Sequence, residues 1–297
     1  MDFLRYNKLL VAIGILLKEC FSFNTEITDS RLKRYELYLS EAKNILKKSY
    51  DNSIRIVIFK TFTAFPRDVA DIDVLLYSHE ELTNFEDILR SINYKRRKVG
   101  LEQNLWSKKV NNIIVDVEVH TNIAASGFKY YPKRLVFRRA KLVNELMLPS
   151  PVDSLLILVA HTTIKDLYLT LSDILDFVLL MSTENLSIES IMNEANSLGL
   201  SRPLQLYLKI LSLMGENVVT TKESLDRFTL FDYDGIVIRP SLYTVASTYI
   251  DLSLAKFRHE PALEVIKQVL TLPRGKGIDA LTRFILREKP HVKSLEE

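Results

Sequence analysis

The chain has 297 residues, 47% of them apolar and 26% charged, and its 40 basic and 37 acidic side chains leave a net charge of +3. This balance is near the globular average and agrees with an intracellular, cytoplasmic enzyme; a charge so small does not by itself demand a nucleic-acid partner. The single cysteine, Cys20, cannot form an internal disulfide, and the absence of CxxC and HExxH argues against a structural zinc or a zincin site.

Asp2 to Cys20 has helical apolar spacing and includes the nine-residue apolar run Leu9 to Leu17, between Lys8 and Lys18. That run is about half the length needed to span a bilayer. No small-residue cleavage site follows it, so it reads as a buried helix and no membrane partner is expected. A second helix is expected over Ser30 to Ser49 through Leu32, Tyr35, Leu39, Ala42 and Leu46. β-rich runs follow at Ile54–Phe59 and Ile72–Tyr77. Ser78 then opens a helix with a capping box to Glu81 and a buried stripe of Leu82, Phe85, Leu89 and Ile92. The run Lys95-Arg96-Arg97-Lys98 after that helix reads as a solvated face.

Asn111-Asn112 separates the runs Asn104–Val110 and Ile113–Thr121 and predicts a tight hairpin. Tyr130-Tyr131 precede a basic segment of Lys133, Arg134, Arg138, Arg139 and Lys141. Aromatic residues among cations can hold a nucleic-acid strand, although a solvated face is the commoner use. From Ser150 onward the pattern is helical, with Ser150 as N-cap, Pro151 at the first position and Asp153 at the capping-box position. These elements predict an α+β protein. A small mixed sheet with flanking helices occupies residues 1–149, and an all-helical region occupies 150–297.

The chemistry concentrates in two strands. In Asp71-Ile72-Asp73 the alternation of a strand points both carboxylates the same way, roughly 7 Å apart. Held that close they repel, and they need a cation or open water around them. Ile113 to His120 repeats the pattern, with Asp116, Glu118 and His120 on one face. Acids aimed from adjacent strands at one point make an oxygen-rich cradle for Mg²⁺. The bland alternative is that each acid lies on the wet face of an amphipathic strand.

The order of these pieces carries a resemblance. A strand at Ile54–Phe59, a turn at Lys60-Thr61, a nine-residue spacer (Phe62 to Ala70), Asp71-Ile72-Asp73 and a later acidic strand together resemble the nucleotidyltransferase superfamily, the polymerase-β-like fold. Most of that superfamily has Gly-Gly or Gly-Ser at the turn, where this chain has Lys-Thr, and Thr resists the positive φ that glycine adopts. One uncharacterised bacterial and archaeal branch carries Lys-Gly, Asp-Ile-Asp and Asp-x-His. Lys60 falls on its Lys, Thr61 on its Gly, and Glu118-Val119-His120 on its Asp-x-His. Ser150-Pro151-Val152-Asp153 with Leu155, Leu156, Leu158 and His161, and Leu171-Ser172-Asp173-Ile174-Leu175-Asp176, are similar to its helical motifs. The match covers about Ile54 to Met181.

The resemblance implies transfer of NMP from an NTP to a hydroxyl on RNA, a protein or a small molecule, with two Mg²⁺ (or Mn²⁺) ions about 3.5–4 Å apart. It places Asp71 and Asp73 on the metals and either Glu118 or Asp116 as the third carboxylate. Lys60 and Thr61 are expected on the triphosphate, and His120 beside a carboxylate or the acceptor. His161, Lys165, Ser172 and Asp176 are expected on one helix face with Tyr168 near it, and Asp173 nearby; that face would turn toward the acids and close a wall of the cleft. The other reading is a catalytically degenerate fold that serves as a binding or assembly module.

Overall fold

The computed structural model describes residues 8–21, 26–99, 103–125, 127–215, 229–231 and 238–271. The chain opens with helix α1 (Leu10–Phe21) and the long α2 (Glu26–Asp51), then strands β1 (Ile56–Ile58) and β2 (Ile72–Leu76). Helix α3 (Leu82–Ser91) leads to β3 (Lys95–Val99), β4 (Gln103–Val110) and β5 (Ile113–His120). These strands form one five-stranded sheet in the order β1-β2-β5-β4-β3, in which only β2 and β5 run parallel. The sheet is therefore mixed, and the protein is α+β.

Alternation along the strands builds the core. Ile72, Val74 and Leu76 of β2, Val115, Val117 and Val119 of β5, and Trp106 of β4 join Tyr38, Ala42 and Ile45 of α2 and Phe85, Ile88 and Leu89 of α3 in one buried cluster. Each large apolar side chain so buried stabilises the fold by about 1.5–3 kcal/mol. The intervening residues Asp73, Asp116, Glu118 and His120 are thereby committed to the other face of the sheet. The hairpin at Asn111-Asn112 forms as expected, with φ of 49° and 65°, the two left-handed residues that a tight turn of matching twist requires.

One local expectation needs correction. Glu81 does accept a bond from the Ser78 amide, at 3.0 Å, but the Ser78 hydroxyl turns to the Glu80 amide and carboxylate; the helix starts only at Leu82. Lys95 to Lys98, expected as a solvated face after that helix, is exposed. It pairs with β4 as an edge strand, with an irregularity between Arg96 and Lys98. Charge on an edge strand discourages pairing with further chains.

Beyond the sheet lie β6 (Ile123–Ala125) paired with β7 (Phe128–Tyr131), helix α4 (Lys133–Arg139), and the ribbon of β8 (Lys141–Val143) and β9 (Leu146–Leu148). Helix α5 (Pro151–Ala160) follows, with the Ser150 hydroxyl accepting from the Asp153 amide and donating to its carboxylate at 2.6 Å. A π-helical turn spans His161–Asp166, and then come α6 (Leu171–Thr183), α7 (Ile188–Leu198) and α8 (Ser201–Gly215). Strands β10 (Thr229–Phe231) and β11 (Ile238–Pro240) pair antiparallel before α9 (Leu242–Lys256) and α10 (Ala262–Thr271). The described residues after 150 are thus mainly helical apart from this ribbon, which the sequence pattern did not mark. The described residues divide between two compact units, one within Met1–Ile123 and Pro132–Ser154, the other within Ala124–Tyr131 and Leu155–His291.

Residues 161, 165, 172 and 176 do not lie on one helix, contrary to the expectation from spacing. The π turn ends at Leu167, which adopts φ 60°, and Thr170 caps a new helix in a reciprocal box with Asp173. A left-handed residue followed by a cap stops one helix and starts another, so the i, i+4 count does not carry across.

Candidate functional site

Parallel pairing of β2 with β5 sets Asp73 directly opposite Glu118, and His120 one step along the same face. The result is a buried cluster. Ligand atoms of Asp73, Glu118 and His120 all lie within 4.8 Å of one another, and the three residues are 5%, 4% and 3% exposed. His120 Nε2 is 2.8 Å from Asp73 Oδ1 and 3.7 Å from Glu118 Oε2, and its ring meets the Phe59 ring edge-on at 5.1 Å.

The Lys60-Thr61 turn reaches into this cluster. Lys60 Nζ lies 2.8 Å from Asp73 Oδ1, the same oxygen that His120 contacts. The positive φ at this turn, 63°, falls on Lys60, so Thr61 escapes the strain that its β-branch would feel. Thr61 is buried; its hydroxyl accepts from the Asp73 amide at 2.8 Å, and its amide donates to the Phe59 carbonyl at 2.8 Å. Arg67 donates to the Lys60 carbonyl at 3.1 Å and pins the turn from the spacer.

Electrostatics bind the group together. Burial acts to raise the Asp73 pKa, but the Lys60 ammonium and the His120 contact outweigh it and hold the carboxyl well below the usual range. Burial acts against the Lys60 charge, yet Asp73, Glu118 and Asp71 keep its pKa above the ordinary value. One ammonium faces three carboxylates, so negative charge remains in excess.

Asp71 and Asp116 are placed differently. Asp71 precedes the first paired residue of β2, is half-buried and acts on Lys60 through space, but it lies outside the three-residue cluster. Asp116 accepts a short hydrogen bond from Ser107 across β4 and β5. Its backbone amide points to the hydroxyl of Tyr38, 3.4 Å away. That hydroxyl also accepts from Arg34 at 2.8 Å and shares its proton between the Ala70 and Ile114 carbonyls at 2.9 and 3.0 Å. Burial pushes the Tyr38 phenol up to about 12, so it keeps this proton. One phenol therefore ties α2 to the entry of both acidic strands.

His161 and Lys165 occupy the π turn in the second unit. His161 Nδ1 bonds the Tyr130 hydroxyl at 2.9 Å, and its Nε2 lies 3.3 Å from Asp166. Asp173 serves as the capping carboxylate of α6. Tyr130 and Tyr131 are each 3% exposed, so neither is a stacking platform beside the basic segment. Within that segment Lys133 donates to the Thr121 carbonyl at 2.8 Å, and Arg139 lies 3.3 Å from Asp153.

The residues that sequence reading missed are Tyr38, Arg34, Arg67, Phe59 and Ser107. The i, i+4 spacing of Arg34 and Tyr38 was visible, but their partners lie 32 to 78 positions away, and no local pattern encodes that.

The cluster suits a divalent cation. Donor atoms about 2.0–2.2 Å from one ion lie about 3–4.4 Å apart, close to the spread seen here, and Lys60 Nζ already places a positive charge against Asp73.

Residues 26–215 match the family model described as an uncharacterised nucleotidyltransferase. Among solved structures, an antigenic nucleotidyltransferase-like protein from Paracoccidioides brasiliensis aligns over 64% of this chain and 90% of its own, at 15% identity and a TM-score of 0.40. No curated protein matches.

Proposed function

The chain belongs to the uncharacterised nucleotidyltransferase family, and from that premise we propose that it moves NMP from an NTP to a hydroxyl acceptor with the help of Mg²⁺ or Mn²⁺. The observation that carries the reading is the buried Asp73–Glu118 pair, opposed in parallel register with His120 beside it. In the reaction the acceptor oxygen attacks the α-phosphorus, the bond to the β-phosphate oxygen breaks, and pyrophosphate leaves. Asp73 and Glu118 would hold the metal, with Asp71, outside the cluster but near enough to act on Lys60, as the further carboxylate that the resemblance implies; the metal would supply charge neutralisation on the phosphates and acidify the hydroxyl.

Each side chain then has a defined task. Glu118 serves as the third carboxylate in preference to Asp116, because it opposes Asp73 directly while Asp116 is engaged by Ser107. It accepts the acceptor's proton. His120 keeps Asp73 oriented through the 2.8 Å contact. Lys60 exchanges Asp73 for the triphosphate as a point charge. Thr61 holds the strand at Asp73 through its hydroxyl, a positioning task in place of the phosphate cradle that glycine turns provide. His161 and Lys165 take no part in this reading; the Tyr130 bond gives His161 a local structural role.

The second reading, a non-catalytic module, draws on the Lys60–Asp73 ion pair, which offsets part of the acidic charge without any metal. The same ion pair means that loss of stability on removing Asp73 does not discriminate the two readings, since both lose the Lys60 and His120 contacts. Chemistry does. Incubation with each labelled NTP, Mg²⁺ or Mn²⁺ and cell extract is expected to label an acceptor, and Asp73→Asn to abolish the label. Absence of both transfer and nucleotide-dependent stabilisation with every NTP would sink the catalytic reading and leave the module.

Among the described residues no helix is long and apolar enough to cross a membrane.

A further inference from the structure

The register of the sheet sorts its cations. Residues paired directly across strands share a face, so Asp73, Glu118, Leu105 and Lys98 form one row over β2, β5, β4 and β3. Asp116, Ser107 and Lys95 form the next row, and Lys109 follows on β4. On the opposite, core-facing side, the cations of the same two strands are matched: Arg96 lies 3.4 Å from Glu86, and Lys108 lies 3.0 Å from Glu41. Lys95, Lys98 and Lys109 are exposed, and among the described residues none of them has an ion-pair partner.

Three strand spacings of about 4.8 Å set Lys98 about 14 Å from Asp73 across the sheet. The face therefore runs from a buried acidic end to an exposed basic rim, with half-buried Leu105 between them. We propose that this rim binds the phosphate backbone of a single-stranded nucleic acid, the acceptor whose terminal hydroxyl reaches Asp73 and Glu118. The inference rests on the transfer reading above for the part of the strand that reaches the acids.

The chemistry favours this occupant. Three ammonium groups act as point charges toward phosphate, and lysines alone offer no bidentate or stacking readout of bases, so binding is sequence-independent. The carboxylates are only 4–5% exposed, which suits a strand end more than a duplex. A strand that lies along the row also supplies both features the face asks for, repeated anions at the rim and a hydroxyl at the acids.

The test is fluorescence anisotropy of a labelled single-stranded RNA titrated over a range of salt, without NTP or metal. A K95A/K98A/K109A variant is compared with K33A/K47A/K48A, which removes the same charge from exposed positions of α2; thermal denaturation confirms that both are folded. Each lysine that neutralises a phosphate contributes about 0.7 to the slope of log K against log salt, so the rim variant should lose about 2 units of slope. Its affinity should fall about tenfold or more in dilute salt, while the α2 variant binds as wild type does. No binding by wild type, or equal losses in both triple variants, overturns the inference. Retained RNA binding without nucleotidyl transfer overturns only the transfer reading. Transfer to a small molecule without RNA binding overturns only this one.

Discussion

His120 and His161 are both held beside an acid, yet they sit in different electrostatic company. His120 lies on a strand face with Asp73, Glu118 and the Lys60 ammonium, buried to 3% exposure. His161 lies on a π turn against a tyrosine hydroxyl and one partly exposed aspartate. The difference follows from the elements that carry them. Two parallel strands in register stack their alternate residues into one charged cluster, whereas an irregular helical turn brings its histidine only a local partner. A histidine next to an acid is thus informative mainly for how many further charges its element delivers.

The sharpest break of this comparison is at Asp73. Asp73→Asn keeps the shape but removes the charge that Lys60 and His120 share. Transfer is expected to fall about 1,000-fold, and chelation of the divalent ion to do the same to wild type. Single-turnover measurement with saturating NTP checks this, and full activity of the variant would move the catalytic centre elsewhere.

A pair of variants tests the two histidines directly. His120→Ala is expected to weaken Mn²⁺ binding about 10- to 100-fold, because the carboxylate it orients loses its support. His161→Ala should leave Mn²⁺ binding unchanged and lower stability by about 1 kcal/mol through the lost Tyr130 bond. Calorimetric titration and denaturant unfolding read the two quantities. Exchange of the two outcomes would transfer the metal role to the π turn.

Tyr38→Phe sharpens the same contrast from behind the cluster. It leaves the Ala70 and Ile114 carbonyls and the Arg34 donor without their shared partner, at an expected cost of about 1–2 kcal/mol in unfolding free energy. An unchanged denaturation midpoint would show that solvent replaces the phenol and that the acidic strands do not depend on it.

The sheet was legible in the sequence because its signals are local. Alternation in Ile72–Leu76 and Ile113–His120 fixed the acidic face, and Asn111-Asn112 marked the turn that pairs β4 with β5. The pairing of β2 with β5, which makes Asp73 face Glu118 and leaves Asp116 with Ser107, is a long-range choice that no window of sequence contains. The helical stripe through 161, 165, 172 and 176 failed for a related reason. Its spacing presumes an unbroken helix, and the break depends on Leu167 taking a left-handed conformation and on Thr170 finding its cap partner in Asp173. The basic run Lys95 to Lys98 looked like one solvated face until its pairing with β4 divided it between two.

Away from both histidines, Lys256 on α9 gives the smallest expected effect and a comparison in pH instead of place. Burial lowers its pKa to about 8, with Lys129 adding to the shift and Glu260 opposing it. Its ammonium also lies 3.7 Å from the centre of the Phe128 ring, a contact that favours the charged form and softens the penalty. The unfolded chain holds the proton up to its ordinary pKa of about 10.4, so between about 8 and about 10.4 the unfolded state binds more protons than the folded one. Stability therefore rises with pH across that window, and the penalty is fully present below about pH 8. Lys256→Met removes the titration. The difference between wild type and variant should shift in favour of wild type by about 1 kcal/mol between about pH 8 and about pH 10, after allowance for solvent screening and the ring. Constant contributions, such as the lost bond to Gln268, offset the curves without altering this slope. Denaturant unfolding at several pH values measures it, and parallel curves would mean that Lys256 keeps an ordinary pKa in the folded protein.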